Sequence, residues 1–169
     1  RDLMGERNGL DEACVGLLSL AVDRCRDVSP SGWVYLLADA LGAPHLEALD
    51  HASMAELYYA MCSYTDDVQD GDASRYMHEE DPRILVNTLA QLICVTAARM
   101  AERGSCQIYQ AFLAGAVMLR GQRTEILRQR WSLERWVEVA RLSASTQLMV
   151  YFRLACAAAG EPPEPFRAL

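Results

Sequence analysis

The chain has 169 residues, enough for one domain with a single sizeable core and too few for two. Its 23 acidic against 16 basic residues give a net charge of -7, which argues against a nucleic-acid partner, because phosphate-backbone affinity comes from clustered Lys and Arg. No run of about 18 apolar residues is present to span a bilayer, and the opening "RDLMGERNGLDEA" lacks the apolar centre of a signal peptide, so a soluble, cytoplasmic protein is expected.

Apolar residues recur every three to four positions through nearly every segment, with no sustained alternation and no Asn-Gly hairpin signal, which predicts an all-α protein. The first helix is expected from about Leu10 to Arg26, and the turn "DVSPSG" separates it from a second that carries "WVYLLADAL" and stops at Gly42. The next starts near Pro44, and Ser53 followed by Glu56 reads as a capping box that restarts it after Asp50. It then runs into the aspartates of "SYTDDVQDGDASRYM", with Gly71 at its end.

Asp81-Pro82 signals a new start, an N-cap acid before a proline whose missing N–H costs nothing in the first turn. That helix reaches about Arg103, where Gly104-Ser105 breaks it; another runs to about Gln129, and Ser132 caps a last one ending at Gly160. Helices near 20 residues with wide apolar faces suit a bundle, here one domain over residues 1–169. The six cysteines are scattered without a Cys-x-x-Cys pair and read as reduced thiols, while Met54, Met61, Met100, Met118 and Met149 read as core filler. His45, His51 and His78 have no partner at zinc spacing.

Asp66, Asp67, Asp70 and Asp72 fall within seven residues. On a helix Asp66 and Asp70 share a face one turn apart, with Asp67 about 100° around from Asp66. They sit at a C-terminal end, where the helix dipole is already negative and like charges at i,i+4 repel, with no Lys or Arg within four residues upstream. Such an arrangement calls for a cation. Hard carboxylate oxygens suit Mg2+ (or Mn2+), with phosphates of a ligand completing the shell. The competing reading is a solvated acidic helix end; against it stands the apolar and aromatic run "MAELYYAMCSY" leading straight to the charges. A calcium loop starting at Asp66 fails, because its third position is Val68 and its twelfth is Met77.

The segment "AELYYAMCSYTDDVQDGDASRYM" resembles the first aspartate-rich region of the trans-polyprenyl diphosphate synthases, Asp-Asp-x-x-Asp-x-x-x-x-Arg-Arg, which Asp66, Asp67, Asp70 and Arg75 match. Downstream, "GQRTEILRQRWSLERWVEVARLSASTQLMVYFRLACAAAG" resembles that family's Gly-Gln segment and following helix, so the resemblance runs from about Trp33 to Gly160. It implies an isoprenoid-synthase-like helical bundle in which Mg2+ bridges Asp66, Asp67 and Asp70 to an allylic prenyl diphosphate. Arg75 and Gln122 then contact substrate, and Met61 and Cys62, five and four positions before the first aspartate, border the hydrocarbon chain. The metal and Arg75 neutralise the departing diphosphate, a dry pocket protects the carbocation, and Tyr58, Tyr59 and Tyr64 offer ring faces to it.

The pattern departs from the family on the side of the second substrate, isopentenyl diphosphate. Arg24 and Arg26 stand in loosely for a Gly-Lys-x-x-Arg segment, Tyr59 replaces a histidine, Tyr76 replaces the second arginine, Ser143-Ala144 replaces a Lys-Thr pair, and the acid after Gly121-Gln122 is Glu125. No second aspartate-rich motif follows, so the bundle is expected to be incomplete at the C-terminus, a piece of something longer. The leading expectation is Mg2+-dependent ionisation of an allylic prenyl diphosphate, most simply trans-prenyl transfer. Two alternatives are a terpene cyclase or prenyltransferase with a different acceptor, and a non-catalytic subunit pairing with an active homologue. A homodimer, or a heterodimer with a homologous subunit, is expected.

Overall fold

A computed structural model describes residues 29–71, 82–104, 106–126 and 131–162. The described residues form six helices and no strand: α1 (Pro30–Ala40), α2 (His45–Asp70), α3 (Pro82–Glu102), α4 (Cys106–Ile126), α5 (Leu133–Leu142) and α6 (Ala144–Ala159). The all-α expectation therefore holds among them, and none of these helices is long and apolar enough to cross a membrane. The helix expected over Leu10–Arg26, the Asp81 cap and the stretch beyond Ile126 toward Gln129 lie outside the described residues.

Local signals set most boundaries. Ser29 caps α1, its hydroxyl accepting from Gly32 N at 3.0 Å, and Pro30 stands where its missing N–H is harmless. Gly71 and Gly160 close α2 and α6 with φ of 77° and 69°, a left-handed conformation that costs glycine little. Two expectations fail. There is no restart at Ser53: α2 is continuous for 26 residues, Ser53 Oγ donates back to Leu49 O at 2.9 Å, and Glu56 instead accepts from Ser31 N at 3.3 Å, holding the start of α1. The last helix is two, broken at Ser143. In the run "SAST" the hydroxyls compete for carbonyls, Ser143 Oγ donating to Val139 O at 2.8 Å and Thr146 Oγ1 to Arg141 O at 3.2 Å, which disturbs the regular ladder.

α2 and α6 run through the centre. α1 packs on both, α4 packs on α6, α3 lies against α2 and α4, and α5 covers α4 and the start of α6. The core is one cluster that joins Val34, Ala38, Ala55, Tyr58, Leu92, Ile108, Val150 and Leu154, all essentially inaccessible. Each large aliphatic there contributes about 1.5–3 kcal/mol of burial. Met54, Met61, Met100 and Met118 are core filler as expected. At the rim, Arg103 pairs with Asp50 at 2.6 Å, and Tyr35 shares a 3.1 Å hydrogen bond with His45 Nδ1. His51 Nδ1 lies 2.9 Å from Glu47 O, so both described histidines are engaged locally. Cys62, Cys94 and Cys156 are free thiols.

Candidate functional site

Three separate stretches of chain converge on one cavity of about 320 Å³. α2 supplies Tyr59, Cys62, Ser63 and Asp66, α4 supplies Met118 and Gln122, and the α5–α6 junction supplies Ser143, Ala144 and Gln147. The α2 set follows from helical spacing, since 59, 62, 63 and 66 recur at three and four residues and so share a face. Ser143 and Gln147 are related in the same way.

Gly121 brings the third wall in. A methyl group at this position would lie 2.8 Å from Leu142 Cβ and 3.2 Å from both Leu142 C and Ser143 N, so only glycine lets the α5–α6 junction pack against α4 this closely. Its neighbour Gln122 is buried and points the other way, donating from Nε2 to Asp66 Oδ1 at 3.0 Å. A carboxylate only accepts, so the amide nitrogen must face Asp66 and the oxygen must turn away. Gln122 Oε1 is then a buried acceptor with no donor among the described residues.

Below the polar mouth the cavity is neutral. Burial pushes the Cys62 thiol up to about 12, so it stays protonated at neutral pH. Tyr58 and Tyr151 meet edge-to-face at 6.5 Å between ring centroids, and burial likewise holds both phenols un-ionised. Gln147 Nε2 donates to Tyr151 OH at 3.0 Å and so ties the cavity wall to this pair. The Tyr58 hydroxyl lies beside the Cys62 thiol, over the ring's contact with Gly115 of α4.

Of the residues picked out by sequence, Asp66, Tyr59, Cys62 and Gln122 line the cavity together, as do Ser143 and Ala144. Met61 does not; it is buried in the core, as are Tyr58 and Tyr64, which leaves Tyr59 as the cavity tyrosine. Asp70 is exposed one turn beyond Asp66, and Asp67 is turned away from the lining with a buried Oδ2 that has no hydrogen-bond partner among the described residues. Arg75 and the side chain of Glu125 lie outside the described residues. Ser63, Met118 and Gln147 also line the cavity; they stand three, four and four residues from Asp66, Gln122 and Ser143, so helical spacing from those positions was the available signal.

No group of three His, Cys, Asp or Glu side chains among the described residues converges at metal-ligating distance. The Asp66 carboxylate supplies hard oxygen of the kind a divalent cation takes, with further ligands needed to complete the shell. None of the described lining residues is Lys, Arg or His. An anion alone is therefore opposed there, while a cation or a metal-bound anion is accommodated. Comparison with known proteins found no family model, no curated protein and no solved structure that matches this chain, so fold and site rest on its own residues.

Proposed function

We propose that this cavity binds the diphosphate end of an allylic prenyl diphosphate and promotes its Mg2+-dependent (or Mn2+-dependent) ionisation, most simply for trans-prenyl transfer. The observation that supports the reading is convergence: Asp66 of the aspartate-rich stretch, Gln122 of the Gly-Gln pair and Ser143-Ala144 line one cavity, although they are spread over nearly half of the chain. Asp66 and Asp70, one turn apart on the same helix, would hold the metal. When bound, the metal supplies Lewis-acid stabilisation of the departing diphosphate.

The chain's own residues do the rest. Gln122 fixes the Asp66 carboxylate at the cavity mouth. Cys62, Met118 and Ala144 supply the apolar part of the lining, against which a carbocation formed when the allylic C–O bond breaks, both electrons leaving with diphosphate, would be shielded from water. The ring of Tyr59 offers its face to that charge. A second reading has one specific observation in its favour: with Tyr59 and Ser143-Ala144 in the wall and no cationic side chain among the described lining residues, the acceptor is something other than isopentenyl diphosphate. Pairing with a second copy or a homologous chain belongs to either proposal.

The test is diphosphate release from labelled allylic diphosphates, with and without isopentenyl diphosphate, for the wild type, Asp66→Ala and Asp70→Ala. Loss by orders of magnitude in both variants is expected. In parallel, calorimetry should show Mg2+ binding tighter with pyrophosphate than without it, because carboxylates supply only part of an oxygen shell. Equal affinity in both conditions, with no release by the wild type, returns the aspartates to a solvated helix end.

A further inference from the structure

A second concavity, of about 380 Å³, lies outside the central cavity along the groove between α4 and α6. Its floor is apolar: Leu113 and Val117, one turn apart on α4, and Met149 on α6. Leu113 and Val117 are 48% and 43% exposed, so they form an open apolar strip with no cover among the described residues. Its rim is cationic. Arg141, at the end of α5, and Arg153, on α6, both line it, and no Asp or Glu does among the described residues.

The two guanidinium groups are held at low commitment. That of Arg141 makes no hydrogen bond or ion pair among the described residues, and Arg153 Nη1 reaches Gln110 Oε1 only at 3.4 Å, a long hydrogen bond. On a chain of net charge -7, two arginines left without carboxylate partners beside an apolar strip are unusual, because nearby acids normally neutralise them. The hydroxyl of Ser145 sits between them in sequence and also lines the groove.

We propose that this groove binds a single-chain amphiphile with an oxyanion head, phosphate or carboxylate, its tail over Leu113 and Val117 and its head on the arginine rim that Arg141 and Arg153 form. Guanidinium presents paired donors that match an oxyanion, and the tail removes from water the strip that the bundle leaves exposed. The volume falls in the usual small-molecule range of about 300–1,000 Å³ and is too small for a packed helix. The inference is independent of the prenyl diphosphate reading, because it shares no residue with the central cavity, although Val117 adjoins Met118 and Ser145 adjoins Ala144.

The test is titration calorimetry on the full chain with decyl phosphate below its micelle concentration, against decanoate, decanol and inorganic phosphate. Decyl phosphate or decanoate should bind at least about tenfold tighter than decanol or phosphate alone. The Arg141→Gln/Arg153→Gln double variant should weaken binding by about tenfold or more, the cost of a lost charge-assisted contact, with the circular dichroism spectrum unchanged, and the two single variants show which arginine holds the head. Val117→Asn should weaken the alkyl ligand and leave helix content intact, whereas Asp66→Asn should leave binding unaltered. Overturning results are no binding by either anionic amphiphile, equal binding by decanol, or a double arginine variant that binds as the wild type does.

Discussion

Gln122 donates from Nε2 to Asp66 Oδ1 over 3.0 Å, joining α4 to the end of α2 across 56 residues of sequence. The bond holds a carboxylate at the cavity mouth and, by using the amide nitrogen, leaves the amide oxygen as a buried acceptor. One side chain thus sets both polar features of the site.

Gln122→Leu removes that bond and fills the same volume with an apolar group. Because Asp66 is exposed and regains water, the expected cost is about 1–2 kcal/mol rather than that of a stranded buried charge. Urea unfolding of the wild type, Gln122→Leu, Asp66→Ala and the double variant measures it. The two effects should fail to add by about 1 kcal/mol; strict additivity would mean that the residues do not interact in solution.

At Gly121, two opposing effects decide the sign of a change to alanine. Alanine favours a helix over glycine by about 1 kcal/mol, but its methyl would meet Leu142 Cβ at 2.8 Å, and a Cβ cannot swing away without its backbone. Overpacking of this kind costs about 1–3 kcal/mol, so the clash wins and Tm should fall by several degrees, at about 2–4 °C per kcal/mol for a chain of this size. Gly115→Ala is the control. There the methyl would rest 3.4 Å from the Tyr58 ring, an ordinary contact, and Tm should be unchanged or raised. Equal melting of Gly121→Ala and the wild type would show that the junction is not held closely against α4.

Burial raises the Cys62 pKa from an ordinary 9.0 to about 12, and raises those of Tyr58 and Tyr151 in the same direction. Acids protonated in the folded state and ionised in the unfolded one stabilise the fold fully below the unfolded pKa, and that contribution is lost as pH climbs toward the folded value. Unfolding free energy should therefore fall from about pH 9 upward, less steeply in Cys62→Ala. Iodoacetamide at about pH 8 should label the exposed Cys94 and spare Cys62 and Cys156 until denaturant is added, as read by peptide mass mapping. Labelling of Cys62 at the rate of Cys94 would mean that the cavity floor opens freely.

Sequence by itself determined the helices, because the signals that start and stop them act within a turn or two. The three-to-four-residue periodicity is borne out, and Ser29-Pro30, Gly71, Gly104 and Gly160 mark boundaries among the described residues. It also placed Asp66 and Asp70 on one face, since a helix fixes the angle between its own side chains. Tertiary structure decided everything that depended on a distant partner. Ser53-x-x-Glu56 has the pattern of a cap, yet Glu56 is taken by Ser31 N, 25 residues away. The break at Ser143 is local, set by the SAST hydroxyls, yet that the junction it makes packs against Gly121 is a tertiary fact. Met61 and Cys62 are equally apolar neighbours and both are buried in the core, and only the tertiary packing leaves Cys62, and not Met61, in the cavity wall. Local rules fix dihedrals and faces; which faces meet depends on burying apolar area between segments far apart in the chain, and that is settled only when all of them pack at once.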